Sequence, residues 1–344
     1  MQRVVERDLK IDILRCVAIV GIIIAHSEPN KIIFQLRNFD VILMVLILGA
    51  SFYLSSNRSS KKISYVTYSI KRMKRLIIPT WIFLTIFFSL FLLISLELKV
   101  DYYFSFKEIF MSYIMINGIG YVWIMRVFFL IALISPILLK LNLKIKNNNH
   151  YFLILFLIYG IYIIFQLIYN TLDGPLKVLF ENFVLYGIGY GLIAAFGMRL
   201  KFLSNKEIYL WTIFFLVLFL GFMWYYQFSP TQNYKYPPQL YYISYGMFIS
   251  LFLYIVLDVK VIRSICSNKL VMFISQNSIW LYFWHIIFIY LLKFSDKEIQ
   301  PLFNNFIARF AFIFTLALVV TYIHSILKKV VYNFKKRVVI EKSI

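Results

Sequence analysis

Long apolar blocks recur along this chain from residue 11 to residue 327. A helix needs about 20 mainly apolar residues to cross a bilayer, since each residue adds about 1.5 Å. The sequence predicts ten such helices, at residues 11–28, 39–56, 76–96, 121–140, 151–169, 178–197, 208–226, 240–257, 270–292 and 306–327. Backbone polar groups in lipid must be paired within their own segment, and the blocks are too long for barrel strands. The predicted fold class is therefore all-α, a polytopic membrane bundle.

The composition excludes an ordinary soluble fold. The chain is 62% hydrophobic and 15% charged, whereas soluble domains are about 45–50% apolar and about 25% charged. The apolar blocks leave no room for a separate soluble domain. We therefore expect one transmembrane domain over residues 1–344, with short tails at 1–10 and 328–344.

The basic residues are distributed unequally between alternate connections. The net charge is +21, and the connections on one side hold 25 Lys and Arg residues against eight on the other. By the positive-inside rule, this asymmetry places both termini in the cytoplasm. Basic loops beside anionic headgroups account for the charge, so we expect membrane lipids as partners and no nucleic acid.

The first predicted span carries three ionisable residues, Asp12, Arg15 and His26. Such residues are costly in a membrane and indicate function by default. Arg15 and His26 are 11 residues apart, about three helical turns, so both project from one face. Asp12 precedes Arg15 by three positions and can pair with it. Alternatively, Arg15 reaches the headgroups and His26 only bonds a neighbouring helix.

A second histidine, His285, lies about fifteen residues into the ninth predicted span, as His26 does in the first. Both spans start from the cytoplasm, so the two imidazoles should lie at similar depth. This indicates a shared polar chamber. The alternative is that His285 simply bonds a neighbouring helix.

Two arginines end the basic stretch before the third span. Arg72 and Arg75 stand three residues apart, just before Pro79. On a helix they would share a face at the cytoplasmic surface, and guanidinium groups can grip phosphates bidentately. The alternative is that they only anchor the helix at the headgroups.

Arg15-x10-His26, preceded by Asp12, resembles the opening helix of acyltransferase family 3, whose ten-span members acylate surface polysaccharides and other sugars. The resemblance extends to Arg72-x-x-Arg75 with Leu76 and Pro79, Trp123, Pro136, and Ser278 with Tyr282 and His285. The second span departs from the family. It reads VILMVLILGASFYLS in place of a P-L-F-F-x-I-S-G pattern, which is similar to a divergent, fucose-acetylase-like branch.

The resemblance implies an O-acyltransferase in a bacterial cell membrane. The donor would be acetyl-CoA, bound by Arg72, Arg75 and Arg15, and no metal is expected. His26 would act as general base, with His285 orienting it, relaying a proton or stabilising an oxyanion, and Asp12 steering Arg15. The acceptor would be a hydroxyl of a cell-surface or lipid-linked glycan, and other polysaccharide-assembly proteins are possible partners.

Two other functions fit a polytopic membrane protein, a flippase or transporter of lipid-linked sugars and a membrane glycan polymerase. A flippase needs a wide polar path, and charged residues within the spans are few. Polymerases carry a long outer loop, which this sequence lacks. The tyrosines of residues 232–242 and Trp123 suit either sugar rings or an ordinary membrane interface.

Overall fold

A computed structural model describes residues 8–56, 64–295 and 300–341. In these ranges the chain forms fifteen α-helices and no β-strand, which confirms the all-α class. The helices are α1 (Leu9–His26), α2 (Lys31–Leu36), α3 (Asp40–Ser56), α4 (Tyr65–Leu98), α5 (Phe106–Tyr113), α6 (Trp123–Lys144), α7 (Asn148–Thr171), α8 (Gly174–Leu179), α9 (Tyr186–Arg199), α10 (Asn205–Tyr225), α11 (Leu240–Val256), α12 (Lys260–Cys266), α13 (Lys269–Gln276), α14 (Ser278–Lys293) and α15 (Phe306–Glu341).

The described helices make this a multi-pass membrane protein. Seven stretches are long and apolar enough to cross a bilayer: Lys31–Ser56, Tyr65–Leu98, Trp123–Lys144, Asn148–Thr171, Gly174–Phe202, Asn205–Tyr225 and Phe306–Phe334. Counting two bent pairs, α11 with α12 and α13 with α14, gives up to nine. The 18 residues of α1 include three charged side chains, and α1 is not among the candidates. The predicted number of ten spans is therefore not confirmed.

Several predicted segments differ from the observed helices. The ninth span is not one helix, because α13 and α14 meet at Asn277 with a bend of 83°. The third begins earlier, since the Ser64 hydroxyl caps α4 by accepting from the Thr67 amide. The last continues beyond residue 327 as α15, so the predicted tail is helical up to Glu341.

Some basic residues used to assign orientation lie outside the described residues. These are Arg3, Arg7, Arg58, Lys61, Lys62, Lys297 and Lys342.

The helices group into two compact units. The first comprises Met1–Arg37 and Arg263–Ile344. In it α1 packs against α13, α14 and α15. The Asp8 side chain caps α1 by accepting from the Lys10 amide. A mainly aliphatic face of α1 is buried and positions the polar residues discussed below.

The second unit comprises Asn38–Ile262. Its centre is the packing of α9 against α3 and α6, and α11 packs on α10 and α3. Two glycines allow α3 and α9 to approach closely. A Cβ added at Gly49 would lie 2.0 Å from the Ala194 carbonyl oxygen, and one at Gly197 would lie 2.0 Å from that of Leu46. Small residues allow this kind of close contact between membrane helices.

Candidate active site

The two predicted histidines contact each other within the first unit. His26 is the last residue of α1, and His285 lies on α14 with 0% of its surface exposed. The distance between His26 Nδ1 and His285 Nε2 is 2.9 Å, and the two rings are nearly coplanar, with 9° between their planes. The sequence predicted that the two imidazoles lie at similar depth, and the structure adds a direct hydrogen bond between them.

The hydrogen bonds of this pair assign its protons. His285 Nδ1 contacts the Tyr282 carbonyl oxygen, which can only accept, so this nitrogen carries the hydrogen. In a neutral His285 ring, Nε2 is then an acceptor, and His26 Nδ1 donates to it. A neutral His26 therefore carries its basic lone pair on Nε2. This is the protonation state that a general base requires.

The other charged residues of α1 form a second polar group nearer the start of the helix. Arg15 Nη1 donates to Asp12 Oδ1 at 3.0 Å, which is the contact expected from their spacing. The Ser275 hydroxyl of α13 donates to the same carboxylate oxygen at 2.8 Å, and Arg15 Nη1 lies 3.3 Å from that hydroxyl. Asp12 and Ser275 are buried, whereas Arg15 is partly exposed.

These contacts orient the face of α1 that carries the predicted site. Arg15 contacts α13 and His26 contacts α14, so both side chains face the same bent helix pair. Sequence reasoning did not identify Ser275. The only sequence feature that pointed to Ser275 was its position just before the element formed by Ser278, Tyr282 and His285.

The turn after His26 is held by an ion pair to α15. Glu28 has a positive φ of 53°, and its side chain is 78% exposed. Arg309 Nη1 pairs with Glu28 Oε2, and Arg309 Nε donates to the Phe303 carbonyl at 3.1 Å. The sequence gives no sign of this pair, because 281 positions separate the two residues. The pair ties the end of α1 to α15.

The predicted donor-binding arginines belong to the second unit and lie on α4. Both lie in a helix, which is the condition for the shared face predicted from their spacing. The Arg72 guanidinium lies over the rings of Tyr68, at 4.9 Å, and Phe52, at 5.6 Å. Arg75 is exposed. One guanidinium is thus oriented by aromatic rings and the other is accessible to a ligand.

In the second unit, a group of aromatic side chains lies around the segment that contains Pro237 and Pro238. Trp123 opens α6 and lies 5.1 Å from the Tyr236 ring and 6.0 Å from the Tyr186 ring. Tyr190 contacts Trp123 and Tyr186. We call Trp123, Tyr186, Tyr190 and Tyr236 the aromatic mouth. Tyr236 is 43% exposed, so one side of the mouth is accessible.

Arg126 lies one turn after Trp123 on α6 and is buried. Its guanidinium donates to the Met115 carbonyl and to Asn182 Oδ1, and lies 5.5 Å from the centre of the Tyr186 ring. A role as an interfacial anchor does not explain these contacts. Arg126 instead supports the α6 side of the aromatic mouth.

Across residues 8–56, 64–295 and 300–341, no group of three or more His, Cys, Asp or Glu side chains could hold a metal ion. The chemistry available at the histidine pair is the uptake or release of a proton by an imidazole. The chemistry available at α4 is the binding of an anion by guanidinium groups.

A model of the acyltransferase 3 family, described as an acyltransferase domain, matches residues 8–326. The matched range includes α1 and α14, which carry the histidine pair, and α4, which carries Arg72 and Arg75. No curated protein and no solved structure matched the chain.

Proposed function

This chain belongs to the acyltransferase 3 family and is a membrane acyltransferase, and we propose that it is an O-acetyltransferase of bacterial glycans. It lies in the inner membrane with both termini in the cytoplasm. It transfers an acetyl group from cytoplasmic acetyl-CoA to a hydroxyl of a cell-surface or lipid-linked glycan. Family membership favours this function over the flippase and polymerase alternatives.

The observation that carries the proposal is the hydrogen bond between His26 and His285. With its hydrogen on Nδ1, His26 uses Nε2 to accept the proton of the acceptor hydroxyl. The hydroxyl oxygen forms a bond to the acyl carbon while the carbon–sulfur bond of the thioester breaks. His26 then returns the proton to the departing thiolate, so protons balance over the cycle.

His285 acts as a positioning residue for His26. Its Nε2 accepts from His26 Nδ1, and its own Nδ1 is held by the Tyr282 carbonyl. This arrangement maintains one tautomer of His26 and stabilises the imidazolium that forms in the transition state. A site that excludes water would also limit hydrolysis of the thioester.

The donor is bound through its phosphates. Arg72 and Arg75 lie on the cytoplasmic side by the positive-inside rule, and guanidinium groups bind phosphate bidentately. Arg15 contributes a further guanidinium, which Asp12 and Ser275 orient. We assign the chain to the fucose-acetylase-like branch on the basis of its unusual second span.

The test is a His26→Ala variant, with surface-glycan O-acetyl groups measured by NMR. General acid–base catalysis contributes about 10²–10⁴-fold, so acetylation should fall by at least about 100-fold. His150→Ala, which changes an exposed histidine at the start of α7, is the matched control. Normal acetylation in the His26 variant would eliminate the catalytic assignment.

A further inference from the structure

An apolar crevice of about 280 Å³ lies between α7, α9, α10 and α11, all within the second unit. The helix α7 lines it with Phe152, Phe156 and Tyr159, and α9 lines it with Gly189, Leu192 and Phe196. Residues at spacings of three, four and seven lie on one face of a helix. Each of these two helices therefore contributes a continuous stripe of residues to the wall of the crevice. Seven residues at about 1.5 Å each make the crevice about 10 Å tall.

The crevice opens sideways, toward the lipid. Phe156 at its rim is 50% exposed and Phe214 of α10 is also exposed, whereas Phe152 and Phe196 are buried. The lining consists almost wholly of carbon atoms. A polar ligand would lose its hydration there without compensation. The chemistry therefore selects a hydrocarbon chain that enters from the bilayer.

One end of the crevice is linked to the aromatic mouth by a short chain segment. Tyr236 belongs to the mouth, and Leu240, four residues later, lines the crevice. Between them, Pro238 packs against Gly189 so closely that an added Cβ would lie 2.8 Å from Pro238 Cγ. The Tyr162 hydroxyl donates to the Pro238 carbonyl at 2.9 Å. The segment from Tyr236 to Leu240 thus connects aromatic rings suited to a sugar with an apolar slot suited to a chain.

We propose that the acceptor is a lipid-linked sugar whose hydrocarbon chain lies in this crevice while its sugar is held at the aromatic mouth. This inference rests on the proposed function, because it names the class of acceptor. A bulk phospholipid would match the crevice but not the aromatic rings beside it. An acceptor without a lipid chain would leave the crevice without a role.

The test is photolabelling of the full chain in lipid nanodiscs. The probe is a long-chain alkyl glucoside with a diazirine in its alkyl chain, and mass spectrometry locates the adducts. Adducts should map to α7 and α9 at the crevice. Excess unlabelled alkyl glucoside should reduce them by about fivefold or more, and phosphatidylglycerol of equal chain length by less than about twofold.

A pair of matched variants tests the position of the chain. Leu192→Trp fills the crevice and should lower labelling about fivefold or more. Leu157→Trp makes the same change on α7 at a side chain outside the crevice, and labelling should stay within about twofold of the wild type. Size-exclusion chromatography checks that both variants fold. The competition experiment uses the wild-type protein, so its result does not depend on the folding of a variant.

Three results would overturn the inference: equal competition by phosphatidylglycerol, absence of adducts in the crevice, and unchanged labelling of a folded Leu192→Trp protein. The first would assign the crevice to bulk lipid. Photolabelling requires neither the acyl donor nor His26. Failure of the acetyltransferase proposal would appear in the His26→Ala assay instead, so the two failures are distinguishable.

Discussion

Arg199 should contribute more to stability than its place in a basic connection suggests. It ends α9 and is 0% exposed. Its guanidinium donates to the carbonyl oxygens of Asn142 at 2.9 Å and of Ile145 and Lys146 at 2.8 Å. Its Nε donates to Asn148 Oδ1 at 2.8 Å. One side chain therefore holds the turn between α6 and α7 against the end of α9.

The perturbation is Arg199→Met, which keeps much of the side-chain volume and removes every donor. Each hydrogen bond to a charged group contributes about 1.5–3 kcal/mol, so four would give about 6–12 kcal/mol if they added. Burying the guanidinium costs several kcal/mol and offsets part of that sum. The variant also leaves three carbonyls without this donor. We expect a net loss of about 3–5 kcal/mol, the range for breaking a buried charged network.

The assay is thermal unfolding in nanodiscs, followed by tryptophan fluorescence and circular dichroism. At about 2 °C per kcal/mol for a chain of this size, the Tm should fall by about 6–10 °C. Arg199→Lys retains the positive charge but lacks the planar guanidinium group, so its Tm should lie between those of Arg199→Met and the wild type. The control is Lys206→Met, since Lys206 is exposed at the start of α10. A Tm for Arg199→Met within about 1 °C of this control would refute the reasoning.

Two further predictions concern the donor site and the helix packing. Arg72→Ala and Arg75→Ala should each weaken acetyl-CoA binding, measured by calorimetry, by about tenfold or more. The control Lys74→Ala, on the same helix, should weaken binding much less. Equal losses of affinity in all three variants would leave the arginines only an anchoring role. Gly49→Ala should destabilise the protein by about 1–3 kcal/mol, because its Cβ would meet the backbone of α9. Gly160→Ala should not destabilise the protein, because Gly160 has open space around it. Equal melting temperatures of the Gly49→Ala and Gly160→Ala variants would contradict this account.

The polar contacts of α1 show how far sequence reasoning reaches. Asp12 and Arg15 pair over one helical turn, so their contact follows from local geometry. The partners of His26 and Arg15 on α13 and α14 are about 260 positions away. Equal depth indicated a shared chamber for His26 and His285, but depth says nothing about rotation of a helix about its axis. The hydrogen bond and its direction required the folded structure.

The break in the ninth span could not be read from hydropathy either. The residues from Lys269 to Lys293 read as one apolar segment, yet the chain bends at Asn277. The bend gives α13 and α14 different directions and lets them contribute Ser275 and His285 to separate parts of α1. Hydropathy averages over such a local change of direction.

By itself, the sequence determined the all-α membrane class, the family, and the face of α1 on which an arginine and a histidine project. These follow from properties that act locally along the chain, namely hydrophobic length, helical period and motif spacing. Tertiary structure alone decided which nitrogen of His26 is basic, that the Arg199 charge is buried rather than facing headgroups, and that four helices line an apolar crevice. Each of these depends on contacts between residues distant in sequence, whose geometry is set by how the helices pack.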